Sequence, residues 1–158
     1  MMEGKLTKNL WWSEVLRGSG YDEHVKPEGG VEANMILHAN QSWQIVRRTW
    51  GDGLSIVAGG GLRSPEMNER VGGSAESRHV EGDATDIRIS KHMNNRAYLD
   101  LYELIDTMQR NGRIIKGGLG LYFSHKKQAI RFIHFDSRGY LARWNGRHLK
   151  AAKGFYNA

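Results

Sequence analysis

Two polar patches that lie far apart in the chain constrain this sequence more than any other feature. The first runs from Ser74 to Ile89 and the second from Arg131 to Gly139. In the first patch, His79 and Asp86 stand seven positions apart, and Asp86 opens a run of alternating apolar and polar residues. This pattern predicts a turn that leads into a strand, with both side chains close to the junction.

The second patch has the period-two alternation of a strand. Phe132, His134 and Asp136 share one predicted face of that strand. If His79 and Asp86 lie beside it, two imidazoles and a carboxylate supply three protein ligands for zinc and leave a fourth position for water. That composition is typical of a catalytic zinc site rather than a closed structural one. The sequence therefore predicts a hydrolase with zinc as its cofactor.

Composition narrows the alternatives. A chain of 158 residues predicts a single domain over residues 1–158, long enough to bury roughly two thirds of its unfolded surface. Its 23 Lys and Arg exceed its 17 Asp and Glu, and the net charge of +6 favours polyanionic surroundings such as nucleic acid, anionic lipid or an acidic cell wall. The absence of cysteine excludes a thiol nucleophile, a disulfide framework and a cysteine-rich zinc site.

The distribution of apolar residues predicts no membrane insertion. The N-terminal residues have no apolar stretch after their charges, and no run approaches the ~18 apolar residues of a membrane helix. We therefore expect a protein that is made in the cytoplasm without a secretory signal.

Apolar spacing also predicts the main elements. It favours helices over residues 31–50 and 96–111, and a short amphipathic helix or a docking segment over residues 6–16. Strands are predicted over residues 54–58, 117–123 and 129–136, of which the last two form a hairpin. Because helices and hairpins alternate without a βαβ rhythm, we expect an α+β domain with a mainly antiparallel sheet.

Individual residues refine this outline. Ser64 and Pro65 predict the start of a short helix, so Arg63 lies at a strand-to-helix corner from which its side chain can project into a cleft. Asn95 is the predicted cap of the helix over residues 96–111. His38 falls off the apolar stripe of the helix over residues 31–50, so it is not expected to be a ligand.

Other polar and aromatic residues have simpler interpretations. His92 lies in a polar connector and is expected to be exposed, and His125 is expected to be a solvated turn residue rather than part of the site. Trp144 is expected to be buried. The remainder of the C-terminal tail has no predicted place.

The order of these motifs is similar to that of a known family. The motifs are, in chain order, Gly61-Leu62-Arg63-Ser64-Pro65, Ser77-x-His79-x-x-Gly82-x-Ala84-x-Asp86, Gly118-Leu119-Gly120-Leu121-Tyr122, His134-x-Asp136-x-Arg138-Gly139 and Arg143-Trp144. Together they resemble the zinc D-alanyl-D-alanine carboxypeptidase and endopeptidase family of the hedgehog/DD-peptidase fold, in its branch whose second motif is His-x-Asp. The resemblance extends over most of the chain.

This resemblance implies a peptidase that acts on the stem peptides or cross-links of peptidoglycan, as a carboxypeptidase or an endopeptidase. It implies that His79, Asp86 and His134 are the zinc ligands and that Arg63 lines the substrate cleft. Ser77 is a further candidate for substrate binding. Arg63 would grip a substrate carboxylate or the developing oxyanion, although an ion pair that braces its corner is the alternative. Ser77 could equally hold the turn in place.

The chain departs from the family pattern in two places. Leu62 replaces a tyrosine, and Arg131 stands where other branches have an acidic catalytic base. Arginine cannot act as a base. Asp136 shares a face with His134, ~6.5 Å along the strand, and is the candidate base. The alternative for Asp136 is a carboxylate that holds the ligand imidazole in place.

The resemblance also suggests a biological setting. A monomeric phage or prophage lysin, or a wall peptidase carried in a virion, would reach the cell wall after release from the host cytoplasm. The opposing hypothesis is a non-catalytic zinc-binding or virion structural domain that has kept the fold and lost the base. A nucleic-acid binder is suggested only by the high pI, so peptidoglycan is the expected partner and nucleic acid is not.

Overall fold

The computed structural model describes residues 2–90 and 94–154, so the connector that contains His92 lies outside the described residues. The helices are α1 (Trp12–Leu16), α2 (Gly29–His38), α3 (Gln44–Trp50), α4 (Pro65–Arg70), α5 (Arg78–Glu81), α6 (Asn95–Arg110) and α7 (Gly146–Gly154), and a π-helical segment (Ala39–Trp43) joins α2 to α3. The strands are β1 (Lys5–Thr7), β2 (Leu10–Trp11), β3 (Leu54–Ile56), β4 (Ala84–Ile89), β5 (Gly118–Ser124), β6 (Ala129–Asp136) and β7 (Ala142–Trp144).

The centre of the fold is a five-stranded sheet with the strand order β3-β4-β6-β5-β7. All neighbouring strands are antiparallel except β5 and β7, which run parallel. The predicted hairpin of β5 and β6 and the mainly antiparallel α+β architecture are both confirmed. β7 and α7 occupy the C-terminal region for which the sequence predicted no structure.

One face of this sheet carries the hydrophobic core. Ile133 and Phe135 alternate with His134 along β6 and are fully buried. They lie on the side covered by α6, whose own apolar stripe includes the buried Leu101 and Ile105. Each such side chain contributes roughly 1.5–3 kcal/mol when it leaves water. Because the helices cover this face, the opposite face of β6 is left for polar side chains and a cleft.

One short segment near the N-terminus differs from expectation. Residues 6–16 do not form one helix, because β1 and β2 form a small hairpin in which Lys5 lies opposite Trp11. Only Trp12–Leu16 is helical. Two of the apolar residues in this segment, Leu10 and Val15, are inaccessible to solvent, whereas Trp11 is exposed.

The helix caps are partly as predicted. Ser64 Oγ accepts a hydrogen bond from Met67 N at 3.1 Å, so the predicted start of α4 is confirmed. The cap of α6 is Asn94 rather than Asn95, because Asn94 Oδ1 accepts from Ala97 N at 3.2 Å. Asn95 instead turns inward, where its side-chain oxygen accepts from Ile130 N on β6 at 2.8 Å.

His38 is not part of the His79-Asp86-His134 cluster, but it is buried although it falls off the predicted apolar stripe. Its side chain is fully buried, with Nδ1 2.6 Å from Ser137 Oγ and Nε2 2.9 Å from Thr85 Oγ1. Burial lowers the pKa of His38 to about 3, so the imidazole is neutral at pH 7. On the same helix, Met35 is buried and Ile36 is exposed. The buried face of α2 accommodates His38 because hydroxyl groups satisfy both ring nitrogens.

Within residues 2–90 and 94–154, every helix is too short or too polar to span a bilayer.

Candidate metal centre

Two neighbouring strands and one helical turn bring His79, Asp86 and His134 together. Asp86 on β4 lies directly opposite His134 on β6. His79 lies on α5, the single turn before β4. Gly82 ends α5 with a φ of 88°, a left-handed conformation that glycine adopts without strain, and turns the chain back into the sheet.

The geometry of these three residues fits one metal ion. His134 Nδ1 lies 2.9 Å from Asp86 Oδ1 and 3.2 Å from His79 Nε2, and the last two atoms are 3.2 Å apart. Ligand atoms of a tetrahedral zinc ion with bonds of about 2.0–2.1 Å lie about 3.3 Å from one another. The three side chains could therefore hold zinc with little rearrangement.

Hydrogen bonds outside the cluster orient both imidazoles. His79 Nδ1 lies 2.9 Å from Gly61 O and donates to it, which leaves Nε2 as an acceptor. His134 Nε2 donates to Asp136 Oδ2 at 2.9 Å, so Nδ1 is the ring nitrogen that faces Asp86 and His79. Without a metal, the proton on Nδ1 donates to Asp86 Oδ1, and a bound cation would take the place of that proton.

The electrostatics of the cluster also favour positive charge. Burial alone would lower the pKa of His134, but hydrogen bonds to Asp136 and Asp86 outweigh burial and raise the pKa to about 9. Burial alone would raise the pKa of Asp86, but the charges and hydrogen bonds of His79 and His134 hold it well below its usual range. A carboxylate that stays ionised while almost fully buried is a suitable ligand for a divalent cation.

Asp136 lies behind His134, away from the three ligand atoms. Its carboxylate is inaccessible to solvent and accepts hydrogen bonds from Gly118 N at 2.8 Å, from Arg138 Nε at 2.9 Å and from Arg138 Nη2 at 2.8 Å, besides the one from His134. Burial would raise the pKa of Asp136, but the hydrogen bonds from His134 and Arg138 outweigh it and lower the pKa. This geometry favours the anchoring alternative for Asp136 over the role of base.

A row of residues across four strands forms the floor of the site. Gly120 lies opposite His134 on β5, and Trp144 lies beside Gly120 on β7. A Cβ atom on Gly120 would lie 2.5 Å from the Trp144 ring, so only glycine lets this indole cross β5. The indole reaches His134, with ring centroids 4.9 Å apart, and its Nε1 donates to Tyr122 OH at 3.0 Å. The expected burial of Trp144 is thus only partial, because one side of the ring faces the cleft.

The cleft above the cluster has a volume of about 600 Å³. It is lined by Arg63, Val71, Gly73, Ser74, Glu76, Ser77, Arg78, His79, Asp86, Tyr122, Phe132, His134, Arg138 and Trp144. Tyr122 and Phe132 are stacked, with ring centroids 4.5 Å apart, and form an aromatic wall with Trp144. Sequence reasoning had not assigned Tyr122 or Trp144 to the cleft, although the two glycines on one face of β5 mark the space that the indole fills.

The arginines of the cleft differ in their partners. Arg78 pairs with Asp83, and Arg138 pairs with Asp136. Arg63 instead donates to two neutral acceptors, Asn68 Oδ1 and Gly59 O, both at 3.2 Å. Its guanidinium is therefore held in place without its charge being neutralised.

Ser77 and His125 differ in their positions relative to the cleft. Ser77 immediately precedes α5 and lines the cleft. His125 is exposed in the turn between β5 and β6 and is not among the cleft residues, in agreement with its interpretation as a turn histidine.

Comparison with known proteins gives one match. A family model described as Peptidase M15 matches residues 17–120, about two thirds of the chain. The matched segment contains Arg63, His79 and Asp86, whereas His134 lies beyond its end. No curated protein and no solved structure gives a significant match. With a match over that length, and a His-Asp-His cluster of the kind that zinc-dependent peptidases require, the chain belongs to the Peptidase M15 family and has its hedgehog/DD-peptidase-like α+β fold.

Proposed function

We propose that the protein is a zinc-dependent peptidase that hydrolyses peptide bonds in the stem peptides or cross-links of peptidoglycan. The observation that carries the proposal is the convergence of His79 Nε2, Asp86 Oδ1 and His134 Nδ1 at the floor of an open cleft. A structural zinc site would be closed by a fourth protein ligand, whereas this one faces the cleft.

The chain's own residues prepare this site before any substrate arrives. His79, Asp86 and His134 would hold the ion, while Gly61 and Asp136 fix the two imidazoles. The chemistry that bound zinc supplies is polarisation of the scissile carbonyl and activation of water for its attack. Gly61 O is part of the backbone and Asp136 is locked by Arg138, so neither ring can turn freely.

Arg63 is the proposed contact for a substrate carboxylate. Stem peptides carry carboxylates on glutamate and at their C-termini, and a guanidinium binds such groups through two parallel hydrogen bonds. Of the three arginines that line the cleft, Arg78 and Arg138 are paired with aspartates, so Arg63 has the charge available. Ser77, which directly precedes α5 and lines the cleft, is a proposed hydrogen-bonding partner of the substrate.

Glu76 is the proposed proton acceptor. A base must reach the attacking water within hydrogen-bonding distance, directly or through one water. Among the residues that line the cleft, only Asp86 and Glu76 are carboxylates, and Asp86 is committed to the cluster. Glu76 is exposed at the cleft edge three residues before His79, so its side chain can move toward the reacting water.

The biological setting we propose is a phage or prophage lysin, or a virion component, that acts as a monomer on the cell wall. The net charge of +6 supports attraction to an anionic wall. The competing function is a non-catalytic zinc-binding domain with the same fold. Arg131 in place of an acidic residue and the burial of Asp136 are the observations that favour it.

Wall digestion separates the two functions. Purified peptidoglycan is incubated with the protein, with the protein after metal chelation, and with the chelated protein after zinc is restored, and the released fragments are analysed by mass spectrometry. A peptidase releases fragments with new peptide termini in the first and third samples, and their masses identify the bond. Intact walls in all three samples would favour the non-catalytic domain.

A further inference from the structure

The charges of this protein are divided unevenly along the chain. Residues 107–158 contain a single acidic residue, Asp136. They contain eleven basic residues: Arg110, Arg113, Lys116, Lys126, Lys127, Arg131, Arg138, Arg143, Arg147, Lys150 and Lys153. Residues 1–106, in contrast, contain twelve Lys or Arg and sixteen Asp or Glu. Asp136 is buried against Arg138, so it adds no negative charge to the surface of the C-terminal third.

The fold gathers part of this charge on one surface. We call it the basic surface and define it by His125, Lys126, Lys127, Arg131, Arg147 and Lys150, all of them exposed. The turn between β5 and β6 meets α7 here, because the rings of His125 and His148 lie 6.0 Å apart and His148 Nδ1 accepts a hydrogen bond from Phe123 N at 3.1 Å.

Electrostatic effects on His148 agree with this arrangement. Burial lowers the pKa of His148, and the nearby charges of Arg147, His125 and Arg131 lower it further. Lys150 lies one turn beyond Arg147 on α7, and residues three apart on a helix are neighbours. The basic surface therefore concentrates like charges from two sequence segments.

In the part of the chain that the structure describes, the charges of the basic surface are not neutralised by ion pairs. Within residues 2–90 and 94–154, none of the ion pairs involves a side chain of the basic surface. Like charges held close together repel one another, and an anionic ligand relieves that repulsion. A polyanion also releases its own counterions when it binds, so both effects favour its binding to the basic surface.

The basic surface adjoins one end of the cleft. The Arg131 guanidinium lies 5.6 Å from the centre of the Phe132 ring, and Phe132 stacks on Tyr122 in the aromatic wall. Tyr122 in turn lies edge-on to His148, with ring centroids 6.3 Å apart. A polymer bound on the basic surface would lie next to a substrate in the cleft.

We propose that the basic surface binds a phosphodiester-linked polyol phosphate chain of the cell wall and thereby holds the cleft against its substrate. The cell-wall source of this ligand rests on the proposed peptidoglycan function. The ligand chemistry rests on the cluster of Lys and Arg itself, since such side chains bind phosphates of a polyanion irrespective of its sequence.

The surface suits a polymer without bases better than a nucleic acid. Proteins that bind single-stranded nucleic acid present exposed aromatic side chains on which bases stack. Within the described residues, the exposed large apolar side chains lie outside the basic surface: Trp11, Val25, Ile36, Leu37, Val71, Tyr140 and Leu141. The adjoining rings of Tyr122 and Phe132 are already stacked on each other.

The test compares two triple variants that remove the same charge. Lys126→Gln/Lys127→Gln/Arg147→Gln alters the basic surface, and Lys8→Gln/Lys26→Gln/Arg48→Gln alters exposed basic residues elsewhere. The affinity of each protein for purified polyglycerol phosphate and for single-stranded DNA of similar length is measured at several salt concentrations. Hydrolysis of a small soluble muropeptide is measured in parallel.

We expect the first triple variant to bind polyglycerol phosphate about tenfold more weakly at low salt, with a shallower salt dependence, and the second to bind nearly as wild type. Muropeptide hydrolysis should be unchanged in both. Equal weakening of polyglycerol phosphate binding in both variants would show that only net charge matters and would overturn the proposal. Tighter binding of DNA than of polyglycerol phosphate would also overturn it. A protein that binds the polymer but hydrolyses no muropeptide would contradict the peptidase function and leave the polyanion site standing.

Discussion

Asp86 and His134 lie directly opposite each other on antiparallel strands, with His134 Nδ1 2.9 Å from Asp86 Oδ1. This register fixes two of the three proposed ligands through the backbone hydrogen bonds of the sheet rather than through flexible loops. Only His79 is delivered from outside the sheet, and its Nδ1 hydrogen bond to Gly61 O restrains it. Ligands on rigid elements hold a metal in a defined geometry.

The role of Asp136 is tested by Asp136→Asn. If Asp136 anchors the His134 ring, this change should weaken zinc binding by ~10- to 100-fold, and hydrolysis should return when zinc is added in excess. Zinc affinity and wall digestion are measured on the same protein, with Asp52→Asn at an exposed position as the control. Normal zinc affinity with a loss of hydrolysis that excess zinc does not restore would instead identify Asp136 as the base.

Glu76→Gln tests the proposed proton acceptor. The amide keeps the size of the side chain but cannot take up a proton, so hydrolysis should fall by about a hundredfold while zinc content is retained. Glu81→Gln is the matched control, since Glu81 is an exposed carboxylate that does not line the candidate active-site cleft. Equal activity of the two variants would remove Glu76 from the mechanism.

Arg63→Lys tests the substrate contact. Lysine keeps the positive charge but lacks the planar fork, so turnover should fall at least about tenfold, or roughly 1.4 kcal/mol, with fold and zinc retained. Arg70→Lys, at an exposed position on α4, should behave as wild type. If Arg63→Lys is fully active, Arg63 serves only to brace its corner through Asn68 and Gly59.

The motif that defines the site was readable from the sequence because it depends on local geometry. Strand periodicity places His134 and Asp136 on one face, and the glycine at position 82 marks the turn between His79 and Asp86. What periodicity cannot give is the side of the imidazole on which Asp136 lies. That is set by Gly118 N and Arg138, which hold the carboxylate on the far side of the His134 ring.

Two other features depended on contacts between distant segments. His38 is buried because Thr85 and Ser137, 47 and 99 positions away, satisfy its ring nitrogens. The indole of Trp144 crosses a strand only because Gly120 lies beneath it. None of these three partners is adjacent in sequence, so neither the apolar stripe of the helix nor the composition of the C-terminal tail indicated these contacts.

The buried His38 makes stability depend on pH. Its pKa is about 3 in the folded protein and near 6.5 when unfolded, so the unfolded chain binds more protons between these values. The contribution of neutral His38 to the free energy of unfolding is complete above pH 6.5 and is lost as the pH falls toward 3. This contribution is on the order of a few kcal/mol. The charges of Asp136, His134 and His79 also affect the pKa of this imidazole. The test therefore compares the stability of wild type with that of a variant that lacks His38.

Urea denaturation of metal-free wild type, His38→Gln and the exposed control His24→Gln, at pH 7, 5 and 4, measures this effect. Glutamine can donate and accept one hydrogen bond each but does not titrate. The advantage of wild type over His38→Gln should therefore shrink as the pH falls, while His24→Gln follows wild type. A constant difference between wild type and His38→Gln would show that His38 is not the titrating group.

The metal content of the protein is the most direct test of the proposed zinc site. Zinc per chain is measured by elemental analysis after purification and dialysis, for wild type, for His79→Ala/His134→Ala and for His125→Ala, which removes an exposed histidine outside the cluster. We expect about one zinc per chain in wild type and in His125→Ala, and almost none in the double variant. Full zinc occupancy in the double variant would contradict the assignment of His79 and His134 as zinc ligands.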